Sequence, residues 1–196
     1  MALNRPILLA TLAMAGIVAL SNVAVQFPIN NELTWGAFTY PFAFLVTDLT
    51  NRFLGPSAAR RVVIAGFVAG VVLSIVLASP RIAIASGSAF LVAQLVDVSV
   101  FNRLREGSWW RAPAFSSVIG SAIDTALFFT IAFSASFAFL GDDAGWAQTP
   151  VPLLRIGPDV LLWVNLAVAD YLVKLAIAAL ALVPYRAALG TAAARG

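Results

Sequence analysis

The sequence contains no cysteine and no histidine. Without cysteine the chain has neither disulfides nor thiol chemistry. Without histidine it lacks the commonest metal ligand and the commonest base near neutral pH. An enzyme of this composition would have to rely on carboxylate pairs or on serine–lysine chemistry. We therefore expect no metal, no cofactor and no enzymatic activity.

Charged residues are also scarce, at 11% of 196 residues, against about 25% in a typical soluble domain. Hydrophobic residues make up 61% of the chain, and the mean hydropathy is +0.94. In water such a chain would expose large apolar patches, so the composition predicts an all-α integral membrane protein. At about 20 residues a span, the length allows roughly six transmembrane helices in a single domain, residues 1–196.

Six apolar segments are predicted to cross the bilayer. The first segment, preceded by Arg5, also resembles a cleavable signal peptide. More membrane segments follow it rather than a secreted domain, which favours a span. The predicted spans are residues 6–27, 33–47, 62–79, 82–102, 113–140 and 160–183.

The basic residues predict which side of the membrane each loop faces. They lie singly or in pairs between apolar segments, unlike the basic stripe of a nucleic-acid-binding protein. Six spans place both termini on one side, together with nine of the twelve basic residues. The positive-inside rule makes that side cytoplasmic. The nine are Arg5, Arg52, Arg60, Arg61, Arg103, Arg105, Arg111, Arg186 and Arg195.

The second span contains Pro41 and runs into a polar group. Its apolar part, residues 35–47, gives only about 20 Å of helix, against a hydrocarbon core of about 30 Å. One interpretation is a short, broken helix of the kind that lines transporter binding sites. The other is an ordinary proline-kinked span. In both cases Asp48, Asn51 and Arg52 are predicted to close the cytoplasmic end, as a gate or as a cap.

Charged side chains interrupt three later spans, and such residues usually face a bundle interior or a cavity. Asp124 has no charge partner within its own helix. Asp170 and Lys174 are one turn apart in the order that favours an ion pair, so they could neutralise each other. Asp97 could point inwards beside Gln94 or reach towards the arginines that follow it. Carboxylates at mid-depth on separate helices predict a shared polar cavity.

Such a cavity suits a neutral or cationic small molecule. A carboxylate accepts two parallel hydrogen bonds from an amidine-like edge, such as that of a guanine-type ring. The fourteen phenylalanines offer stacking faces. A phosphate-bearing ligand would need clustered basic residues, and only Lys174 is predicted to lie deep. Gly66 and Gly70 form a GxxxG motif, which predicts close helix packing rather than chemistry.

Four segments resemble, in order, the queuosine-precursor transporter family, also called the vitamin uptake transporter family. The resemblance covers about residues 30–185, and the block from Gln94 to Phe133 is its most specific part. The segments are YPFAFLVTDLTNRFLG at 40–55, QLVDVSVFNRLREGSWWRAP at 94–113, SSVIGSAIDTALFFTIAF at 116–133 and ADYLVKL at 169–175.

The resemblance implies a six-helix importer of 7-deazaguanine-type queuosine precursors in the cell inner membrane. It also implies a fold similar to the substrate-binding components of energy-coupling-factor transporters. An alternative is a substrate-capture component for another vitamin-like molecule that works with a separate ATPase module. A structural membrane protein is less favoured, because deep carboxylates would then serve no purpose. The implied partners are the small-molecule substrate and the lipid bilayer, with no nucleic acid, and a homo-oligomer is compatible.

The resemblance also carries site residues over to this chain. The hypothesis is that Asp124, helped by Asp97 or Asp170, grips the amidine edge of the base. Many family members carry an acidic residue where this chain has Arg52, so that position could mark a different cargo. The other candidates are Gln94, Asn102 and Lys174 for the substrate, and Asp48 and Asn51 for the gate or cap.

Overall fold

The computed structural model describes residues 5–24, 27, 29, 33, 35–77, 79–141 and 144–193. Helices account for most of these residues, which confirms the all-α class. The α-helices are α1 Arg5–Ala24, α2 Gly36–Thr39, α3 Phe42–Leu54, α4 Pro56–Leu77, α5 Pro80–Leu104, α6 Arg111–Phe133 and α7 Leu162–Ala193.

Within the described part of the chain, four helices, α4 to α7, are long and apolar enough to cross a membrane. Helix α1 carries a shorter apolar stretch, Arg5–Ser21. Large apolar side chains on the outside of the bundle are exposed, among them Leu12, Val72 and Leu180. A soluble monomer would not carry apolar surface on this scale. The chain is therefore a multi-pass membrane protein whose exposed apolar faces contact lipid.

The second predicted span is divided into two helices. Helix α2 has only four residues, Tyr40 and Pro41 form a turn, and α3 then begins. Proline has no N–H to donate, and the turn is closed by a bond from the Phe44 N–H to the Pro41 carbonyl, 3.1 Å. Tyr40 and Pro41 both keep right-handed helical dihedral angles, which favours a proline-kinked span over an unwound break. Helix α3 also continues to Leu54, so the polar group at 48–52 lies inside a helix.

Three other boundaries differ from the predicted spans. The segment 113–140 is α-helical only to Phe133, because Ser134 is extended and caps a separate 3-10 helix, Ala135–Leu140. Helix α4 begins earlier than predicted, at Pro56, directly after Gly55 ends α3 at a φ of 84°. Proline is favoured at a first helical position. Helix α7 continues past residue 183, through Pro184.

Close packing of α1 against α4 depends on the GxxxG motif. A Cβ atom on Gly66 would lie 2.5 Å from Cγ of Met14, and one on Gly70 would lie 3.3 Å from Cγ1 of Val18. Only glycine allows this approach at position 66. The prediction that the motif serves helix packing is confirmed.

A short hairpin precedes α7 and was not predicted. Its strands are β1 Pro150–Pro152 and β2 Asp159–Leu161, antiparallel, with Val151 opposite Val160. Leu154 in the connecting turn has a φ of 50°, and its N–H donates to Oδ1 of the buried Asn165, 2.7 Å. The adjoining 3-10 helices are Gly145–Gln148 and Leu153–Arg155.

Arginines tie the helix ends together at one end of the bundle. Arg52 Nη1 donates to the Arg105 carbonyl, 2.7 Å, and Arg105 Nη2 donates to the Arg52 carbonyl, 3.3 Å. The guanidinium of Arg186 lies 5.2 Å from the Trp109 ring centroid. The arginine contacts join the C-terminal ends of α3 and α5. The contact with Trp109 joins the connection between α5 and α6 to α7 at the same end of the bundle. Arg195 lies outside the described residues.

Candidate functional site

The first polar group, which we term the charge cluster, consists of Asp124 on α6 and Asp170 and Lys174 on α7. The Lys174 Nζ lies 2.7 Å from Oδ2 of Asp124 and 2.5 Å from Oδ2 of Asp170. All three side chains are largely buried, and that of Lys174 is 5% exposed. The predicted Asp170–Lys174 pair therefore exists, and Asp124 joins it from the neighbouring helix.

Two neutral side chains complete the charge cluster, and sequence analysis missed both. Tyr40 Oη donates to Oδ1 of Asp124, 3.0 Å, and its ring lies 5.6 Å from Lys174 Nζ. Thr125 Oγ1 donates to Oδ2 of Asp170, 2.8 Å. Tyr40 directly precedes Pro41, so the interruption between α2 and α3 helps to place it against α6 and α7. A tyrosine and a threonine in an apolar segment carry no charge signal that would have revealed them.

The second polar group, which we term the carboxyl pair, consists of Asp48 on α3 and Asp97 on α5. Asp48 is 2% exposed and Asp97 is fully buried. Ser116 donates to Oδ1 of Asp48, 3.0 Å, and Ser117 donates to Oδ2 of Asp48, 3.2 Å. The Asp97 carboxyl faces Asp48. Neither oxygen of Asp97 accepts a hydrogen bond from any described residue.

A glycine on α6 allows the carboxyl pair to form. A Cβ atom on Gly120 would lie 2.6 Å from Cε1 of Phe44 on α3 and 3.4 Å from Cβ of Asp97 on α5. Ser116 and Ser117 lie about one turn away, toward the same neighbours. The small residues of α6 thus let α3 and α5 approach closely enough for their carboxyls to meet.

The remaining predicted residues lie inside the bundle, at one end of it, or on its exposed surface. Gln94 is fully buried, and the Thr47 hydroxyl donates to its Oε1, 2.5 Å. Asn51 is also buried and donates to the Val98 carbonyl, 3.0 Å, so Asp48 and Asn51 lie inside the bundle rather than at its end. Arg52 alone of the predicted gate residues has the position of a cap.

Asn102 lies outside the site. It is exposed, and its Oδ1 accepts from Arg105 Nη1 at 3.4 Å. Helix α5 turns Gln94 and Asp97 inwards, and a residue five positions beyond Asp97 points to a different side of the helix. The interpretation that Asp97 reaches towards the following arginines is wrong, because Asp97 is buried against Asp48.

A narrow pocket between α3, α6 and α7 connects the two polar groups. Its volume is about 10 Å³, roughly enough for one water molecule, so it must widen to admit a larger ligand. None of Asp97, Asp124 and Asp170, the carboxylates predicted to share one cavity, lines this pocket. The aromatic and polar side chains that line the pocket are Phe44, Asp48, Ser117, Ser121, Lys174 and Tyr185. One carboxyl and one ammonium group thus face the same space.

Comparisons with known proteins identify relatives of this chain. The family model described as "Putative vitamin uptake transporter" matches residues 34–79 and 74–188. The chain is 34% identical over 192 residues to the "Queuosine precursor transporter" of Escherichia coli (strain K12), covering 86% of this chain and 79% of the relative. It is also 34% identical over 204 residues to the "Probable queuosine precursor transporter" of Haemophilus influenzae, with the same two coverages.

A relative from Bacillus subtilis (strain 168), also named "Probable queuosine precursor transporter", is 26% identical over 181 residues, or 78% of this chain and 69% of the relative. No solved structure matches the chain. These relatives are named as transporters and not as enzymes. That confirms the expectation that this chain is not an enzyme.

Proposed function

The chain belongs to the vitamin uptake transporter family, and from this premise we propose that it imports a queuosine precursor, a 7-deazaguanine-type base, across the cell inner membrane. The names of the relatives at 34% identity support this cargo. They favour it over the alternative, a capture component for another vitamin-like molecule that depends on a separate ATPase module.

The observation that carries the proposal is the pocket that Asp48 and Lys174 line together. A 7-deazaguanine ring presents a ring N–H, an amino group and a carbonyl along one edge. Each Asp48 oxygen has one lone pair free beside its serine bond, so the carboxylate accepts the two parallel N–H bonds. Lys174 donates to the carbonyl with the N–H that otherwise bonds Thr125. Phe44 and Tyr185 provide aromatic faces along the same pocket.

This assignment gives Asp124 a different role from the one expected from the sequence. Asp124 does not line the pocket, and its two oxygens accept from Lys174 and Tyr40. Asp124 therefore acts on the base through Lys174, which it holds in place together with Asp170. Gln94 supports α3 through Thr47 and does not line the pocket.

The proposed topology has six spans and cytoplasmic termini. Helix α1, the helices α2 and α3 counted as one span, and α4 to α7 would supply the six spans. The gathering of Arg52, Arg105 and Arg186 at one end of the bundle supports a cytoplasmic face there. A likeness to the substrate-binding components of energy-coupling-factor transporters remains part of this proposal.

Direct binding of 7-deazaguanine to the purified protein tests the function. We expect saturable binding, and we expect Asp48→Asn to weaken it by at least about 100-fold. Each hydrogen bond to a charged group contributes about 1.5–3 kcal/mol, and two such bonds are lost or reversed. The matched control is Glu106→Gln, which changes a carboxyl that is 95% exposed and should bind normally. Unchanged binding by a correctly folded Asp48→Asn protein would contradict the assignment.

Uptake into liposomes that contain only this protein separates the two candidate functions. Transport without nucleotide supports a self-sufficient importer. Saturable binding without any transport, even when a gradient is imposed, would instead support a capture component.

A further inference from the structure

Buried polar atoms without a hydrogen-bond partner indicate one further binding group. Among the described residues, such atoms belong to the side chains of Asn51, Gln94, Asp97, Trp163 and Tyr185. Of these five residues, only Tyr185 also lines the pocket between α3, α6 and α7. Leaving a buried hydroxyl without a partner is costly. A hydroxyl in this state beside a pocket can therefore gain a partner when a polar ligand enters.

Packing holds the Tyr185 ring in place without any bond from its hydroxyl. The side chain is 1% exposed, and its ring meets the Phe101 ring edge-on, with 6.4 Å between the centroids. Ala112 on α6 and Leu45 on α3 pack in the same apolar cluster, and Leu45 also lines the pocket. The ring is thus fixed by apolar neighbours, and its hydroxyl keeps its hydrogen-bonding capacity for a ligand.

Tyr185 and Lys174 mark the two ends of the pocket wall that α7 provides. They are the last and the first lining residues of this helix, eleven positions apart, or about 16 Å. Two alanines, Ala178 and Ala181, line the wall between them. Small side chains in the middle of the wall leave space for a flat ligand when the pocket widens, with a polar group at each end.

The carboxyl of Asp48 lies between these two ends. Helix α6 contacts all three polar side chains in turn: Asp124 bonds the lysine, Ser117 bonds Asp48, and Ala112 packs with the tyrosine. Positions 124, 117 and 112 follow one another along the same helix. A ligand held by Asp48 therefore has the ammonium group on one side and the phenol hydroxyl on the other.

The orientation of the base follows from the proposed function, on which this inference rests. With its carbonyl on Lys174, and its ring N–H and amino group on Asp48, a 7-deazaguanine ring turns its next edge towards Tyr185. In purine numbering this edge carries N3, an acceptor, and N9–H, a donor. A phenol hydroxyl both donates and accepts, so one hydroxyl can serve the two neighbouring atoms.

We infer that Tyr185 is a specificity-determining residue, whose hydroxyl binds the N3 and N9–H edge of the base. A substituent on N9 removes the donor and places its own atoms against the buried ring. The hydroxyl then stays without a partner, and sites built to bond a polar group strongly reject analogues that lack it. The protein therefore accepts the free base and rejects compounds with a substituent on N9, including the corresponding nucleoside.

Binding of two probes, 7-deazaguanine and its 9-methyl derivative, tests this contact. The wild-type protein should clearly prefer 7-deazaguanine. Tyr185→Phe keeps the ring and removes only the hydroxyl, so it should bind 7-deazaguanine about 3- to 10-fold more weakly, the effect of one neutral hydrogen bond. It should bind the 9-methyl derivative no more weakly than the wild type does, because the methyl group already blocks that bond. The preference should therefore narrow.

Tyr171→Phe is the matched control, because it makes the same change on the same helix. The Tyr171 hydroxyl donates to the Val118 carbonyl, 3.4 Å, and does not line the pocket. This variant should bind both probes as the wild type does. Unfolding in detergent separates binding from a structural role: Tyr185→Phe should be at least as stable as the wild type, since its hydroxyl bonds no described residue.

Several outcomes would overturn the inference. They are unchanged binding of 7-deazaguanine by Tyr185→Phe, equal weakening of both probes, or a marked loss of its stability. Equal binding of both probes by the wild type would also overturn it, and this measurement decides even if the variant does not fold. If the wild type binds neither probe, the proposed function fails and the inference with it. If the wild type binds 7-deazaguanine and one of the other outcomes is found, only the inference fails.

Discussion

The charge cluster and the carboxyl pair are both buried, both are built from aspartates on separate helices, and both are served by α6. They differ in what neutralises the carboxylates. In the cluster a lysine lies within 2.7 Å of both Asp124 and Asp170. In the pair, Asp48 is met only by hydroxyls and Asp97 by no donor among the described residues.

That difference separates a group that contains its own cation from a group that contains none. A lysine cannot leave its helix, so the charge cluster keeps its cation throughout any transport cycle. Ser117, which bonds Asp48, and Asp124 are seven residues apart on α6, or about 10 Å. The pocket therefore lies between the ammonium group of the charge cluster and a carboxyl that is met by hydroxyl groups.

Replacing Lys174 by Met should have the largest effect, because it turns the charge cluster into a second carboxyl pair. Breaking a buried ion pair on one side typically costs about 3–5 kcal/mol of unfolding free energy. Unfolding in detergent measures this loss.

The matched control is Arg186→Met, which removes an exposed cation from the same helix. It should cost little. If Lys174→Met is as stable as the wild type, the lysine does not hold the cluster together.

Replacing Gly120 by Ala should disturb the carboxyl pair without touching the cluster. The added methyl group would lie 2.6 Å from the Phe44 ring, and overpacking of this kind costs about 1–3 kcal/mol. Because α3 is pushed away from α6, the serine bonds to Asp48 should weaken and base binding should fall. Gly16→Ala on α1, where nothing lies within 4 Å of the new methyl group, should be neutral. Equal stability and binding of the two variants would show that the α3–α6 approach is not tight.

The smallest effects are expected from Thr125→Val and Ser117→Ala, because each removes a single hydroxyl group, Thr125 from beside the charge cluster and Ser117 from beside the carboxyl pair. Both should cost about 1.5–3 kcal/mol of stability, the range for a hydrogen bond to a charged group. Only Ser117→Ala should weaken base binding measurably, because Ser117 bonds Asp48 and lines the pocket, whereas Thr125 lies behind Lys174. A larger binding defect in Thr125→Val would reverse the roles assigned to the two groups.

Contacts within one helix were predictable from spacing. Asp170 and Lys174 are four residues apart, and any α-helix places two such side chains next to each other on one face. The four-residue spacing of Gly66 and Gly70 likewise predicts close helix packing. In both cases the geometry of a single helix determines the outcome, so no knowledge of its neighbours is needed.

Contacts between helices were less predictable. Asp124 was expected to grip the base because it has no partner in its own helix, but its partner comes from α7. Asp48 was expected near a helix end because the apolar stretch stops at residue 47, whereas α3 continues to Leu54. Asn102 belongs to a motif that resembles the family's, yet it lies on the exposed side of α5. A motif places a residue along a helix, and only packing decides which way it faces.

The amino-acid composition alone required a membrane environment, because a chain with 61% hydrophobic residues cannot hide its apolar surface from water. The order of residues also determined which side chains share a helical turn. Only the tertiary structure decided that Lys174 neutralises two carboxylates while Asp48 and Asp97 meet without a cation. Charge interactions depend on distances between helices, and those distances follow from how small residues such as Gly120 let the helices approach.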